Sequence, residues 1–138
     1  MDAPERFEQL IAFLSSHLPA PVEQQPGGDG SIIFTGGSPG DVVVHLTETS
    51  VVVAEYAGEW ESPYSFVVKP RRVGVLRWMR LPETALMNAL SQLIKGAREM
   101  RLARYRTCRF CGEATPPEWM HTDDVCQVCA DQQLDVVH

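Results

Sequence analysis

The sequence has little of several features that mark common protein classes. Its 138 residues include no run of about 18 apolar residues, so we expect no membrane span. The acidic start lacks the basic residues and apolar block of a secretory signal, which predicts a cytoplasmic protein. No Gly-x-Gly-x-x-Gly, Walker A or His-Glu-x-x-His pattern is present, so nothing in it indicates an enzyme. Cysteine is absent from the first 107 residues.

Basic residues are few overall, giving a net charge of -6, but they concentrate in one segment. Residues 70–106 contain nine basic and two acidic residues, whereas both flanking segments are acidic. The overall acidity favours the interpretation that these charges are neutralised by carboxylates within the fold. The alternative is a polyanion-binding stripe. Its candidate side chains are Arg71, Arg72, Arg98, Arg101, Arg104 and Arg106.

Residues 1–106 predict an α+β body with a helix near each end. Apolar residues recur at spacings of three and four over 4–18, which is the pattern of a helix with one buried face. A second amphipathic helix is predicted over 82–105. Its last turn carries Arg101 and Arg104 on or beside the apolar stripe. We therefore expect that turn to leave the core and direct its charges toward solvent or toward the following segment.

The middle of the body predicts an antiparallel sheet. Short runs rich in β-branched residues lie within 31–79, and their connections are too short for crossover helices. They predict a meander of four or five strands. Residues 19–30 are rich in proline and glycine and predict a connector. Glu59, Trp60 and Glu61 predict a loop of aromatic and acidic residues.

The four cysteines form two Cys-x2-Cys pairs separated by 14 residues. Two residues between thiolates let both sulfurs face one ion, and 14 residues can return the second pair to the first. A disulfide framework would need an oxidising compartment, for which the sequence carries no signal. Iron also accepts four thiolates, but the tetrahedral sulfur set favours zinc.

The two pairs, together with Gly112 directly after the first, make residues 106–138 resemble the four-cysteine zinc-knuckle modules known as zinc ribbons and treble clefs. A short helix indicated by Ala130–Leu134 favours the treble clef. Four thiolates would fill the tetrahedral shell, so the site is expected to be structural. We predict a zinc-binding module over 107–138 whose folding depends on the metal. The resemblance implies one Zn²⁺ ion bound by Cys108, Cys111, Cys126 and Cys129.

Two residues between the cysteine pairs have open roles. His121 is a fifth candidate ligand, but four cysteines suffice, which favours a packing or surface role. Trp119 follows a proline pair and either covers the metal or forms an exposed recognition tip with an aromatic anchor.

These observations predict a small non-enzymatic zinc-binding protein that acts as an adaptor for another protein. The alternative is a nucleic-acid- or ribosome-associated factor. In that case the Arg-rich segment 71–106 would contact phosphates, and Trp78 and Tyr105 would stack on bases.

Overall fold

The computed structural model describes residues 3–133. Within them lie three α-helices, α1 (Ala3–His17), α2 (Glu83–Ala103) and α3 (Gln127–Gln133). The main sheet contains β1 (Val22–Pro26), β2 (Ile32–Gly36), β3 (Val42–Leu46), β4 (Val51–Glu55) and β7 (Arg71–Leu76). Three hairpins pair β5 (Gly58–Ser62) with β6 (Ser65–Val68), β8 (Arg106–Thr107) with β9 (Ala114–Thr115), and β10 (Met120–Thr122) with β11 (Val125–Cys126).

The main sheet is antiparallel throughout, in the order β1-β2-β3-β4-β7. Val44 on β3 lies between Phe34 on β2 and Val53 on β4, and all three are fully buried. The β-branched runs form these strands because branched side chains pack well on a pleated surface. The predicted α+β class is confirmed: along the chain, an antiparallel sheet follows one helix and precedes a second.

The hydrophobic core lies between one face of the sheet and helices α1 and α2. Apolar residues every three or four positions give each helix a single face that can pack on the sheet. Trp78, in a 3₁₀ turn before α2, closes the core and donates its indole N–H to the carbonyl of Thr47 at 3.0 Å. Helix residues buried in this core are Leu10, Leu14, Leu86, Leu90, Ile94 and Ala97.

Two strands lie where the sequence predicted loops. Strand β1 falls within the predicted connector over 19–30 and pairs with β2 along its whole length. It is an edge strand, where a polar sequence and the terminal Pro26 are tolerated. Strand β5 contains the residues around Trp60 that were predicted to form a loop, and its partner β6 makes it one arm of a hairpin. Both faces of β5 are largely exposed, so it lacks the alternation that predicts strands.

Within the described part of the chain, none of the helices combines the length and the apolar character needed to cross a bilayer.

Candidate metal centre

The first cysteine pair lies in the turn of the β8–β9 hairpin. Cys108 follows β8, and its backbone N–H donates to the carbonyl of Glu113 at 3.1 Å. The Gly112 N–H returns to the Cys108 carbonyl at 2.8 Å, closing a tight turn around Cys111. Gly112 has φ +75°, a conformation that glycine adopts without steric cost. The glycine after the first pair therefore serves the knuckle-like turn that the resemblance implied.

The second pair is placed by the junction of β11 and α3. Cys126 ends β11, and Cys129 lies in the first turn of α3. The helix begins earlier than the predicted span 130–134, of which Leu134 lies outside the described residues. The backbone N–H of Cys126 donates to the sulfur of Cys108, and that of Cys129 to the sulfur of Cys126, both at 3.5 Å. These N–H···S hydrogen bonds orient the sulfurs.

The four cysteine sulfurs lie within 4.8 Å of one another. All four thiols are free, and the Sγ atoms of Cys111 and Cys126 are 4.0 Å apart. Zinc–sulfur bonds of about 2.3 Å in a tetrahedron imply sulfur–sulfur edges of roughly 3.8 Å. The donor set therefore fits a tetrahedral metal ion with small adjustments. Cys108, Cys126 and Cys129 are buried, whereas Cys111 is exposed.

The surroundings shift the pKa values of the cysteine thiols in different directions. Backbone hydrogen bonds from Cys111 and Cys126 lower the pKa of Cys108 to about 6. Burial, reinforced by the neighbouring sulfurs, raises the pKa of Cys129 to about 12. Crowded sulfurs oppose one another's ionisation, and a divalent cation among them would reverse that effect by favouring the thiolates.

The other residues near the cluster have distinct positions. His121 is exposed on β10, outside the group of four sulfurs. Arg109, between the first two cysteines, lies over the ring of Phe110 and 3.8 Å from the carboxylate of Asp124.

A buried ion pair joins the cysteine-bearing segment to the body. The Arg101 guanidinium, near the end of α2, donates to both carboxylate oxygens of Glu118 at 2.7 and 2.9 Å. Its side chain is 1% exposed, and that of Glu118 is 5% exposed. The guanidinium also donates to the carbonyl of Gly40 and lies over the rings of Tyr56 and Tyr105. Glu118 belongs to a 3₁₀ turn, Pro117–Trp119, between the two cysteine pairs.

An aromatic cluster forms where this turn meets the β5–β6 hairpin. Trp60 on β5 donates its indole N–H to the carbonyl of Glu118 at 3.1 Å. The ring of Trp119 packs edge-on against Trp60 at 5.4 Å and is stacked near Phe66 at 6.3 Å. Trp119 nevertheless remains 45% exposed. Of the two roles predicted for it, this position favours the exposed aromatic one, away from the buried cluster formed around the four cysteines.

Most of the candidate polyanion-binding arginines contact carboxylates of the protein. Arg71 and Arg104 both pair with Glu55, which is fully buried. Arg98 lies 3.7 Å from Asp41. Burial is the largest influence on the pKa of Asp41 and raises it, while Arg98 and Arg101 act in the opposite direction.

The structure decides between the two directions expected for the last turn of α2. Of the two directions predicted for the last turn of α2, Arg101 takes the one toward the following segment and not the one toward solvent. A buried guanidinium occupied by Glu118 cannot contact an external phosphate. Arg72 and Arg106 are exposed. Trp78, predicted to stack on bases, is 1% exposed and is part of the core.

Sequence reasoning missed Glu118, Glu55 and the contact of Trp60. Glu118 and Trp60 lie in segments whose composition is that of exposed loops. The one available signal was that Arg101 interrupts an apolar helix face, since a buried charge requires a partner.

Comparison with known proteins finds no family model, no curated protein and no solved structure that matches this chain significantly.

Proposed function

We propose that this protein is a non-enzymatic adaptor in which a structural zinc site holds a protein-binding aromatic surface. We call that surface the aromatic junction; it consists of Trp60, Tyr64, Phe66 and Trp119. The observation that carries the proposal is the contrast between two adjacent residues, Glu118 and Trp119, in the turn between the cysteine pairs. Glu118 is fixed in a buried ion pair, while the adjacent Trp119 presents nearly half of its side chain to solvent.

The metal in this proposal is one Zn²⁺ ion bound by the four cysteines. Zinc supplies no redox chemistry, and four thiolates leave no position for water or substrate. The residues between the pairs then take the conformation that places Glu118 against Arg101. Native mass spectrometry of reduced protein should show about 65 Da of added metal per chain, less the displaced protons. A bare chain, or protein with the mass and colour of an iron–sulfur site, would contradict this assignment.

The aromatic junction has the composition of a protein interface. Tryptophan and tyrosine are enriched where binding energy concentrates, because they bury large areas at little entropic cost. Tyr64 at the hairpin tip is 96% exposed, and Trp60 is 38% exposed. A depression of about 580 Å³ beside them is lined by Trp60, Ser62, Pro63, Trp119 and Gln127.

The internal pairing of the arginines supports this proposal over nucleic-acid binding. Arg71, Arg98, Arg101 and Arg104 each have a carboxylate partner, so a phosphate would have to compete with that carboxylate for the guanidinium. The net charge of -6 also opposes association with a polyanion. Because a zinc–thiolate site requires reduced cysteines, we place the adaptor in a reducing compartment such as the cytoplasm.

The test is affinity capture with the full, metal-loaded chain and two matched variants. Trp119→Ala removes the central ring of the aromatic junction. Phe110→Ala removes an aromatic side chain of similar exposure, 44%, outside the junction. We expect that a partner protein binds to the wild type and to Phe110→Ala but does not bind to Trp119→Ala. This result should hold at both about 50 and about 500 mM salt. Capture that is lost with nuclease, or that falls steeply with salt, would favour the nucleic-acid alternative and contradict the adaptor.

A further inference from the structure

Helices α1 and α2 cover one face of the main sheet. Neither helix covers the opposite face, which we call the open face. Strand pairing arranges the side chains of this open face in two rows across the sheet. The first row runs Glu23, Thr35, Val43, Ala54, Arg72. The second row runs Gln25, Ile33, His45, Val52, Val75. All of these residues except Val75 line a depression of about 680 Å³.

The first row carries opposite charges at its two ends. It has a carboxylate at the β1 edge, a guanidinium at the β7 edge, and buried Val43 and Ala54 near its centre. Glu23 and Arg72 are both exposed. They are separated by three intervening strands, so they do not neutralise each other within one chain.

We propose that a second copy of this chain covers the open face, related by a two-fold axis that runs along β3. Such a rotation reverses the strand order, so that β1 of each copy lies over β7 of the other. Glu23 then faces the partner's Arg72 on both sides of the axis, and Val43 lies near its symmetry mate on the axis. A two-fold interface has to be self-complementary in this way.

The second row fits the same rotation. Ile33 faces the partner's Val52, which places an apolar pair on each side of the axis. The rim of the depression includes Pro39, in the turn between β2 and β3, and Pro70, beside β7. Rotation about β3 places Pro70 of each copy over the β1 edge of the partner sheet. Two sheets pack about 10 Å apart in this kind of arrangement.

The other face-to-face two-fold axis, across the strands, is less favourable. It would place β1 over β1 and β7 over β7, which brings the two Arg72 side chains to the same edge. No carboxylate of either row lies at that edge. Opposite charges meet only when the axis runs along the strands.

The area of the open face limits how much surface the dimer can bury. Five strands about 4.8 Å apart, each five residues long, make a face of roughly 24 by 17 Å, or about 400 Å² per copy. Rim side chains add to this area, but a stable dimer buries about 800 Å² per partner. The face is therefore smaller than a standard interface, and we expect a weak, reversible dimer.

The test is sedimentation velocity of the full, metal-loaded chain under reducing conditions, from about 1 to 200 µM. We expect a monomer–dimer equilibrium. Glu23→Arg alone and Arg72→Glu alone should each weaken it about tenfold or more, because like charges then face across the axis. The double variant Glu23→Arg/Arg72→Glu should restore dimerisation to within about threefold of the wild type. Glu48→Arg, in the exposed β3–β4 turn, makes the same change of net charge as Glu23→Arg and should have little effect.

Each contrary result has a defined meaning. A monomer at every concentration assigns the open face to another occupant and overturns the proposal. A dimer that ignores both single reversals, or a double variant that fails to recover, overturns the axis along β3. Trp119→Ala should leave the equilibrium unchanged, so failure here is separate from failure of the proposed adaptor function. Circular dichroism of each variant shows whether the fold is retained.

Discussion

Arg101 is the residue on which the position of the cysteine-bearing segment depends. Its guanidinium makes two hydrogen bonds to Glu118 and one to the Gly40 carbonyl, and two tyrosine rings flank it. Desolvating a charge is costly, and the attraction between buried partners offsets that cost only when the geometry is good. Bidentate geometry also restricts orientation. The ion pair therefore specifies where the turn containing Glu118 lies, whatever its net contribution to stability.

Glu118→Ala should be strongly destabilising. It leaves the Arg101 guanidinium buried without its counter-charge, a change that typically costs about 3 kcal/mol or more. Urea denaturation of the reduced, metal-loaded protein, followed by tryptophan fluorescence, measures this loss. Glu113→Ala, which removes an exposed carboxylate from the same segment, should change the free energy of unfolding by less than about 0.5 kcal/mol.

A second pair of variants separates the charge from the packing. If Arg101 and Glu118 are replaced together by Met and Leu, the buried charges disappear as a set and most of the lost stability should return. Equal losses for Glu118→Ala and Glu113→Ala would mean that the ion pair does not hold the turn in solution.

The burial of Arg101 shows what helical periodicity cannot resolve. In the sequence, Met100 belongs to the apolar stripe of α2 and Arg101 lies at the edge of that stripe. In the structure Met100 is 45% exposed and Arg101 is buried. Periodicity locates a face to within one residue, but the choice between neighbours depends on a carboxylate 17 positions away. That contact is tertiary, so no local pattern contains it.

At the scale of elements, substitution of two glycines by alanine should change stability in opposite directions. Gly112 occupies a left-handed turn between the first cysteine pair and β9, with open space around its Cα. Gly96 lies inside α2, also with open space and with no positive φ. Substitution at either position is therefore decided by backbone conformation and not by collisions.

Gly112→Ala should weaken the knuckle-like turn by about 1 kcal/mol, because an L-residue is strained at positive φ. Gly96→Ala should stabilise the protein by up to about 1 kcal/mol, because alanine loses less entropy in a helix. Competition with a chromophoric chelator reports metal affinity, which should fall for Gly112→Ala and remain unchanged for Gly96→Ala. A drop in affinity for both variants, or for neither, would contradict the assignment of Gly112 to the metal-binding turn.

Among the elements, the sequence predicted those with a buried face and missed those without one. Strands β3 and β4 are almost continuously buried, and their valine runs are diagnostic. Strands β1 and β5 have mostly exposed residues, and each exists because it pairs with a neighbour. The four cysteines were predictable for another reason, since metal ligation imposes a spacing that the chain carries locally.

At the scale of the whole molecule, the cysteine-bearing segment and the body are joined by polar and aromatic contacts. The body has its own apolar core, and the segment has a second, small cluster around its cysteines. Residues near one sulfur cluster can bury little apolar surface, so the metal is expected to supply most of the segment's folding free energy. The two parts should therefore respond differently when the metal is removed.

Chelation, or Cys126→Ser, should unfold the segment while the main sheet persists. Hydrogen exchange of the described part of 107–138 should accelerate, with a smaller effect on the β5–β6 hairpin, which loses its contacts with Glu118 and Trp119. Exchange in β3 and β4 should remain slow, because their core does not include the cysteines. Rapid exchange throughout would show that the body depends on the metal, and unchanged exchange in the segment would show that the metal does not shape it.

Tryptophan emission gives an independent measure of the same event, because the three tryptophans occupy different environments. Trp60 and Trp119 should become more hydrated when the segment unfolds, which shifts their emission to longer wavelength. Trp78 is buried in the body core and hydrogen-bonded to Thr47, so the variant Trp60→Phe/Trp119→Phe should show no shift on chelation. A shift from Trp78 alone would mean that metal removal opens the core, and the ion pair between Arg101 and Glu118 would then be transmitting the change into α2.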